Sequence, residues 1–309
     1  MTTLLLHHPA TLEHKTPTGH PERPDRIRAV ERTLAAEEFT PLIRRLAERA
    51  DTDTIALAHP RAYVEAIQEA APDTGLVGID SDTVMSPGTL EAIERGAGAA
   101  VQAVDAVMTG EVHNAFSAMR PPGHHAERTK AMGFCFYNNA AIAARHAQTK
   151  HGAGHVVIID WDVHHGNGCQ DIFWADKTVL YASTHQMPLY PGTGALSERG
   201  DFDTIVNAPL RPGSDGETFR EAFESRIMAR LEGFGPDLVI ISAGFDAHWR
   251  DPLANLRFEA EDFAWATRKL MEFAGRHCGG RVVSVLEGGY DLQGLSDSVA
   301  AHVRTLMEA

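Results

Sequence analysis

Val156-Val157-Ile158-Ile159-Asp160-Trp161-Asp162-Val163-His164-His165-Gly166-Asn167-Gly168 is the stretch on which the reading of this chain turns. Its first part is short, apolar and β-branched, the profile of a strand buried on both faces. Its second part switches abruptly to carboxylates, imidazoles and glycine. A buried strand that ends in ionisable side chains delivers them to the carboxyl edge of a sheet, where open α/β sheets form their sites. Burying several Asp and His side chains there is costly unless they are paired or hold a metal.

The same grammar repeats outward from this segment. Apolar runs of strand length occur at Leu4–Leu6, Ala115–Ala118, Val179–Ser183, Asp237–Ala243 and Arg281–Leu286. Between them lie segments of helical spacing: Pro87–Met108, Asn139–Thr149, Gly216–Leu231, Glu259–His277 and Leu292–Met307. Ser86 reads as an N-cap with Pro87 at the first helical position. Uniformly apolar strands alternating with helices predict an α/β domain whose mostly parallel sheet is covered on both faces. No Pro-, Gly- or Ser-rich break divides the chain, so residues 1–309 read as one domain. The Gly/Pro-rich stretch Gln186–Asp203 is long enough to be a functional loop.

Composition narrows the classes. The chain has 309 residues, 43% of them hydrophobic, enough for a full core. Its 28 basic and 42 acidic residues give a net charge of -14. That balance argues against nucleic acid as the main partner, since phosphate contacts need Lys and Arg clusters. Three scattered cysteines, Cys135, Cys169 and Cys278, read as free thiols in a reducing compartment. The N-terminus lacks the pattern of a secretory signal, and no run approaches the ~18 apolar residues of a membrane span. A cytoplasmic protein with no membrane partner is expected.

Asp162 and His164 stand two apart, so in an extended segment they share a face. Asp246 follows the strand Leu238–Ser242 and can bring a third ligand from a neighbouring strand end. Three protein ligands with an open position is the pattern of a catalytic zinc site. An isolated Asp-x-His is more often a plain hydrogen-bonded loop end; the buried context inverts that preference. His124-His125 follows the stiff approach Arg120-Pro121-Pro122-Gly123, and adjacent imidazoles suit acid/base work. With 17 histidines some pairs arise by chance, and His7-His8 is given no role. Tyr290 follows Glu287-Gly288-Gly289, where glycines let the backbone approach a ligand closely.

Taken together, these segments resemble the histone deacetylase family of the arginase–deacetylase fold, in particular the class II, bacterial histone deacetylase-like amidohydrolases. The likeness runs through His20–Pro24, Asp82–Gly88, Arg120–Ala126, Gly133–Asn139, Asp160–Gly168, Tyr190–Gly194, Gly244–Leu253 and Leu286–Asp291 in the family's order. It implies a sheet of about eight strands. It implies a zinc ion on Asp162, His164 and Asp246, with His125 as general base and His124 as its electrostatic partner. Tyr290 matches the tyrosine that polarises the scissile carbonyl. Asp160 and Asn167 match the partners of His124 and His125. Phe136 and Tyr190 match the aromatic walls of an acyl-lysine tunnel, with Leu253 at its rim and the neighbourhood of position 134 (Phe134) left without a role. A structural potassium ion is implied at Asp160, Asp162, His164, Ser183 and Thr184, and a second near Phe173, Asp176, Val179 and Thr204.

The implied reaction is hydrolysis of the amide of an acyl-lysine or a small N-acyl amine, in a chain that can oligomerise. Three alternatives stand beside it. A ureohydrolase with two manganese ions needs further carboxylates where this chain has Gly166 and His248. A non-catalytic acyl-lysine reader is disfavoured by Tyr290. An acetylpolyamine amidohydrolase is disfavoured by Leu253, which follows Asp251-Pro252 where polyamine-specific members carry an acidic residue.

Overall fold

The computed structural model describes residues 1–308. Its strands are β1 (Thr3–His7), β2 (Ile43–Leu46), β3 (Val77–Gly78), β4 (Val84–Met85), β5 (Asn114–Ser117), β6 (Val156–Asp160), β7 (Val179–Gln186), β8 (Ile205–Leu210), β9 (Leu238–Ala243) and β10 (Val282–Leu286). Eight of them form one sheet in the order β2-β1-β5-β10-β9-β6-β7-β8. Every pairing in that sheet is parallel. β3 and β4 make a small antiparallel hairpin apart from it. The expected α/β architecture is therefore present, in a single domain.

Side-chain alternation along the strands splits the core into two layers. Leu4, Leu6, Ala115, Ile158, Ile240 and Val283 face one way, against the helices Thr89–Met108 and Asn139–His151. Leu5, Phe116, Val157, Ile159, Val239 and Ile241 face the other, toward the helices Ala260–His277 and Leu292–Glu308. A period of two with both sides covered explains why these strands are apolar throughout.

Four strands are not predicted from the sequence: the two-residue β3 and β4, and β2 and β8, which lie at the edges of the main sheet. β2 is Ile-Arg-Arg-Leu, largely exposed, and β8 contains Pro209. Charge and proline are the usual features of edge strands, which must not invite further pairing. The helix expected from Pro87 instead begins at Thr89, with Gly88 as its N-cap. Ser86 does not cap it. Its hydroxyl accepts from the Lys15 N–H at 2.8 Å and donates to the Glu13 carbonyl at 3.1 Å, tying the N-terminal loop to this helix. The helix Gly216–Leu231 is continuous but contains a π-helical turn at Phe223–Met228. Among the described residues, no helix is long and apolar enough to cross a membrane. The three cysteines are free and buried.

Register sets the position of the site. Asp160 pairs with Ser242 and with Ser183, and Leu286 pairs with Ala243. The carboxyl ends of β6, β9 and β10 thus finish level, while β7 runs on to Gln186, and the loops that follow the three level strands carry Asp162, Asp246 and Tyr290.

Candidate active site

After Asp160 the chain leaves β6 and turns back on itself twice. The Asp160 Oδ1 accepts the N–H of Asp162 at 3.0 Å, and the Asp162 Oδ1 accepts the N–H of His164 at 2.9 Å. Asp162 and His164 therefore meet through successive Asx-type turns, not by sharing a face of an extended segment as expected. Asp246 joins from the loop after β9, its Oδ1 accepting the N–H of Val163 at 2.8 Å. The His164 Nδ1 lies 3.1 Å from both the Asp162 Oδ1 and the Asp246 Oδ2. All three side chains are buried, and their ligand atoms lie within 4.8 Å of one another.

The surroundings leave these carboxylates no room to separate. A Cβ on Gly244 or Gly288 would overlap the carboxylates of Asp162 or Asp246. The Gly288 N–H donates to the Asp162 Oδ2 at 2.8 Å. Burial and the neighbouring Asp162 push Asp246 up to about 7. Burial disfavours a charged His164, yet its bonds to Asp162 and Asp246 push it up to about 10. Two buried carboxylates converge here on one imidazole nitrogen. This donor set calls for a positive charge, and its hard oxygens with one imidazole fit a divalent ion of the zinc class.

The adjacent histidines lie beside this cluster with ring centroids 4.0 Å apart. His124 donates from Nδ1 to the Asp160 Oδ2 at 2.9 Å. Burial opposes its charge, but Asp160 and then Asp162 outweigh that and raise it well above the usual imidazole range. His125 Nδ1 faces the Asn167 Oδ1 at 2.8 Å. The orientation of Asn167 is fixed by its other end, whose Nδ2 donates to the Glu127 Oε1 at 2.8 Å. An oxygen therefore faces His125, so His125 Nδ1 carries the hydrogen and Nε2 keeps its lone pair. Burial, followed by the charges of His124 and His164, holds His125 well below the ordinary range. Asp160 thus favours a charged His124, and burial favours a neutral His125.

Tyr290 comes from the loop after β10. Its N–H donates to the Asp251 Oδ2 at 2.7 Å, which also fixes the loop carrying Leu253, because the Asp251 Oδ1 accepts the Leu253 N–H at 3.0 Å. The Tyr290 ring meets Phe134 edge-on at 5.9 Å and lies beneath the Arg26 guanidinium at 4.9 Å. Tyr190 stands edge-on to His125 at 5.2 Å and is exposed. Leu253 is part exposed.

Phe136 is not a wall. It is fully buried in the core, edge-on to His14 at 5.9 Å, and its carbonyl accepts the Tyr63 hydroxyl at 2.6 Å. The aromatic facing the site is Phe134, part exposed and packed on both His20 and Tyr290. Its φ of 68° reverses the local alternation, so the first aromatic of Gly-Phe-Cys-Phe turns outward. The Phe134 N–H is held by the Thr83 hydroxyl at 3.0 Å, and the Gly133 N–H by the Asp82 Oδ1 at 3.2 Å.

A supporting layer had no role in the reading. The Glu287 Oε2 accepts the N–H groups of Gly123 at 2.7 Å and His124 at 3.1 Å, fixing the entry to the histidine pair. Fully buried Glu22 accepts from Arg120 Nε at 2.6 Å and Arg26 Nη1 at 3.2 Å. Arg26 Nε donates to the Gly289 carbonyl at 2.7 Å. Glu22 thus links the loop of His124 and His125 to the loop of Tyr290. The signal lay in the segments His20–Pro24 and Arg120–Ala126, whose opposite charges flank buried runs.

Gly166 and His248 stand where a second metal would need carboxylates. A Cβ on Gly166 would overlap the Asp160 carboxylate and the Tyr181 hydroxyl. His248 lies stacked against Trp249. Asp162, His164 and Asp246 are the one fully buried cluster among the described residues with metal-ligand geometry.

The sheet, and the groups at its carboxyl edge, define an arginase–deacetylase fold. The chain belongs to the histone deacetylase family, whose Histone deacetylase domain matches residues 20–306. It is 40% identical to Histone deacetylase 14, chloroplastic, of Arabidopsis thaliana, over 94% of this chain and 73% of that protein. It is 38% identical to the Histone deacetylase-like amidohydrolase of Pseudomonas aeruginosa, over 88% of this chain and 73% of that one. The Probable deacetylase of Archaeoglobus fulgidus is also 38% identical, over 95% of this chain and 83% of the relative. The crystal structure of the HDA15 HD domain superposes with a TM-score of 0.94 at 36% identity, covering 99% of this chain and 88% of that one. The relatives are named as deacetylases and amidohydrolases, and the chain is an enzyme of that kind.

Proposed function

We propose that this enzyme is a zinc-dependent deacylase that hydrolyses the amide of acyl-lysine or a related small N-acyl amine. The observation that carries the reading is the adjacent pair His124, bonded to the Asp160 carboxylate, and His125, bonded to the Asn167 amide oxygen, beside the Asp162, His164 and Asp246 cluster. Those three side chains would hold one zinc ion, which supplies Lewis acidity toward an acyl oxygen and lowers the pKa of water. His125 takes a proton from the attacking water on Nε2. His124, held charged by Asp160, steadies the negative charge that develops. Tyr290 donates its hydroxyl hydrogen to the acyl oxygen as that charge builds. The proton on His125 then passes to the leaving amine.

The end of β6 and the neighbouring residues within β7 would hold a potassium ion. Asp160, Asp162, His164, Ser183 and Thr184 gather there, and the buried Thr184 hydroxyl has no hydrogen-bond partner. Phe173, Asp176, Val179 and Thr204 also gather, though the Asp176 carboxylate is already paired with Arg145 at 2.6 Å. Any ion there would rely on backbone carbonyls.

Leu253 and the aromatic walls favour a lysyl stem as the group in the tunnel. A second reading, an acetylpolyamine substrate, is favoured by the Asp82 carboxylate, whose Oδ1 accepts the Gly133 N–H beside Phe134. One panel separates these: acetyl-lysine and trifluoroacetyl-lysine peptides, acetylputrescine and acetylspermidine, each with and without a hydroxamate. Acyl-lysine turnover that the hydroxamate blocks is expected. A preference of ~10²-fold for acetylpolyamines, about 2.7 kcal/mol, would transfer the assignment to them. Tight peptide binding with no product would make the chain a reader. His125→Ala should abolish turnover while zinc stays bound; loss of the metal would make His125 a ligand and refute its role as base.

A further inference from the structure

We propose that Asp105, His146 and His151 form a second metal site, for one transition ion of the zinc, nickel or copper(II) class. Asp105 lies in the last turn of the helix Thr89–Met108, and both histidines lie on the helix Asn139–His151 packed against it. The Nε2 atoms of His146 and His151 approach the same Asp105 oxygen, at 2.7 and 2.6 Å. The rings are 5.7 Å apart. Their side chains are 12% and 15% exposed against 45% for Asp105, so the rings are held in place and the carboxylate opens to solvent.

This convergence is not a by-product of helical spacing. Positions five apart on an α-helix are separated by roughly 140° around its axis. The two rings nevertheless reach one carboxylate oxygen of the neighbouring helix, with His151 the last residue of its own helix before Gly152 at φ 69°. The present contacts are hydrogen bonds. Bond lengths of about 2.0–2.2 Å to a tetrahedral ion set ligand atoms about 3.3 Å apart. Admitting the ion requires the three atoms to spread by about 0.6 Å, which the solvent-facing Asp105 can accommodate by rotating.

Two imidazoles with one carboxylate prefer borderline ions over magnesium or calcium. The fourth position faces water. A cation here also sits at the C-terminal ends of two helices, where the backbone carbonyls present negative charge. Those ends lead toward β5 and β6 at their first residues, so the site lies at the opposite edge of the sheet from Tyr290 and the histidine pair. The ion would clip two helices together and leave turnover untouched.

The test counts zinc per chain after equilibrium dialysis of the intact protein against zinc chloride, alongside melting curves and turnover. Wild type should hold one more equivalent than the His146→Gln/His151→Gln double variant, and zinc should raise its Tm further. Asp105→Asn should behave as the double variant does, and circular dichroism establishes that both are folded. Asp246→Asn should remove a separate equivalent in either background, which keeps the two sites apart in the count. Equal counts in wild type and both variants overturn the proposal. So does a variant that loses activity while its zinc count is unchanged.

Discussion

Replacing Tyr290 with phenylalanine isolates one oxygen atom. The ring is held by Phe134 on one side and Arg26 on the other, and the backbone by Asp251. None of those contacts uses the hydroxyl, so Tyr290→Phe should keep the ring in place and the thermal midpoint close to wild type. What disappears is a donor aimed at charge that develops only in the transition state. Loss of one such donor costs about 10²–10³ in kcat, or about 2.7–4 kcal/mol. Because the donor acts on the transition state more than on the bound substrate, KM should change little. Steady-state kinetics on an acetyl-lysine peptide, with a melting curve on the same preparation, measures both. A kcat within fivefold of wild type would remove Tyr290 from the chemistry. A loss carried wholly by KM would recast it as a binding residue.

The two aromatics of Gly-Phe-Cys-Phe should respond oppositely: Phe134→Ala should raise KM for acyl peptides with little loss of stability, whereas Phe136→Ala should cost about 3–5 kcal/mol in denaturant titrations. Gly166→Ala should force the Asp160–His124 pair apart and destabilise by about 1–3 kcal/mol, with turnover falling at least tenfold; a wild-type rate would show that this contact does not matter. Burial holds His302 down to about 3, between Thr267 and Ser284. Its folded pKa lies below the unfolded value of 6.5, so its contribution is whole above that pH and drains as pH falls toward 3. Wild-type stability should decline by about 1.4 kcal/mol per pH unit from this group, and His302→Gln should lose stability at pH 7 but show a shallower slope in acid.

How much of this was legible depended on whether local pattern and tertiary role agreed. β6 and its Asp-rich end were legible because burial, apolar run and abrupt polarity coincide in one short segment. β2 and β8 were not, because Arg44, Arg45 and Pro209 are what an edge needs and what a strand pattern lacks. Phe134 and Phe136 are equal in composition. Only the positive φ at Phe134, a product of its anchoring to Thr83 and Asp82, decides which one faces the tunnel. Glu22 and Arg120 sat inside recognisable segments, but 98 residues separate them, and no local pattern reports a contact of that length.

The bond from Arg26 to the Gly289 carbonyl joins groups 263 residues apart. During synthesis, the Arg26 side chain is made long before its acceptor exists. Until β10 leaves the ribosome, Glu22 and Arg120 can pair, but the tyrosine loop has nothing to complete. A truncated product lacking this strand loses the partner that stands between β5 and β9, and with it the Gly288 N–H that holds the Asp162 carboxylate and the loop that carries Tyr290. Contacts of such sequence separation also slow folding, since a long loop must close before it is rewarded. Activity should thus be the last property a nascent or refolding chain acquires, trailing the recovery of helical signal.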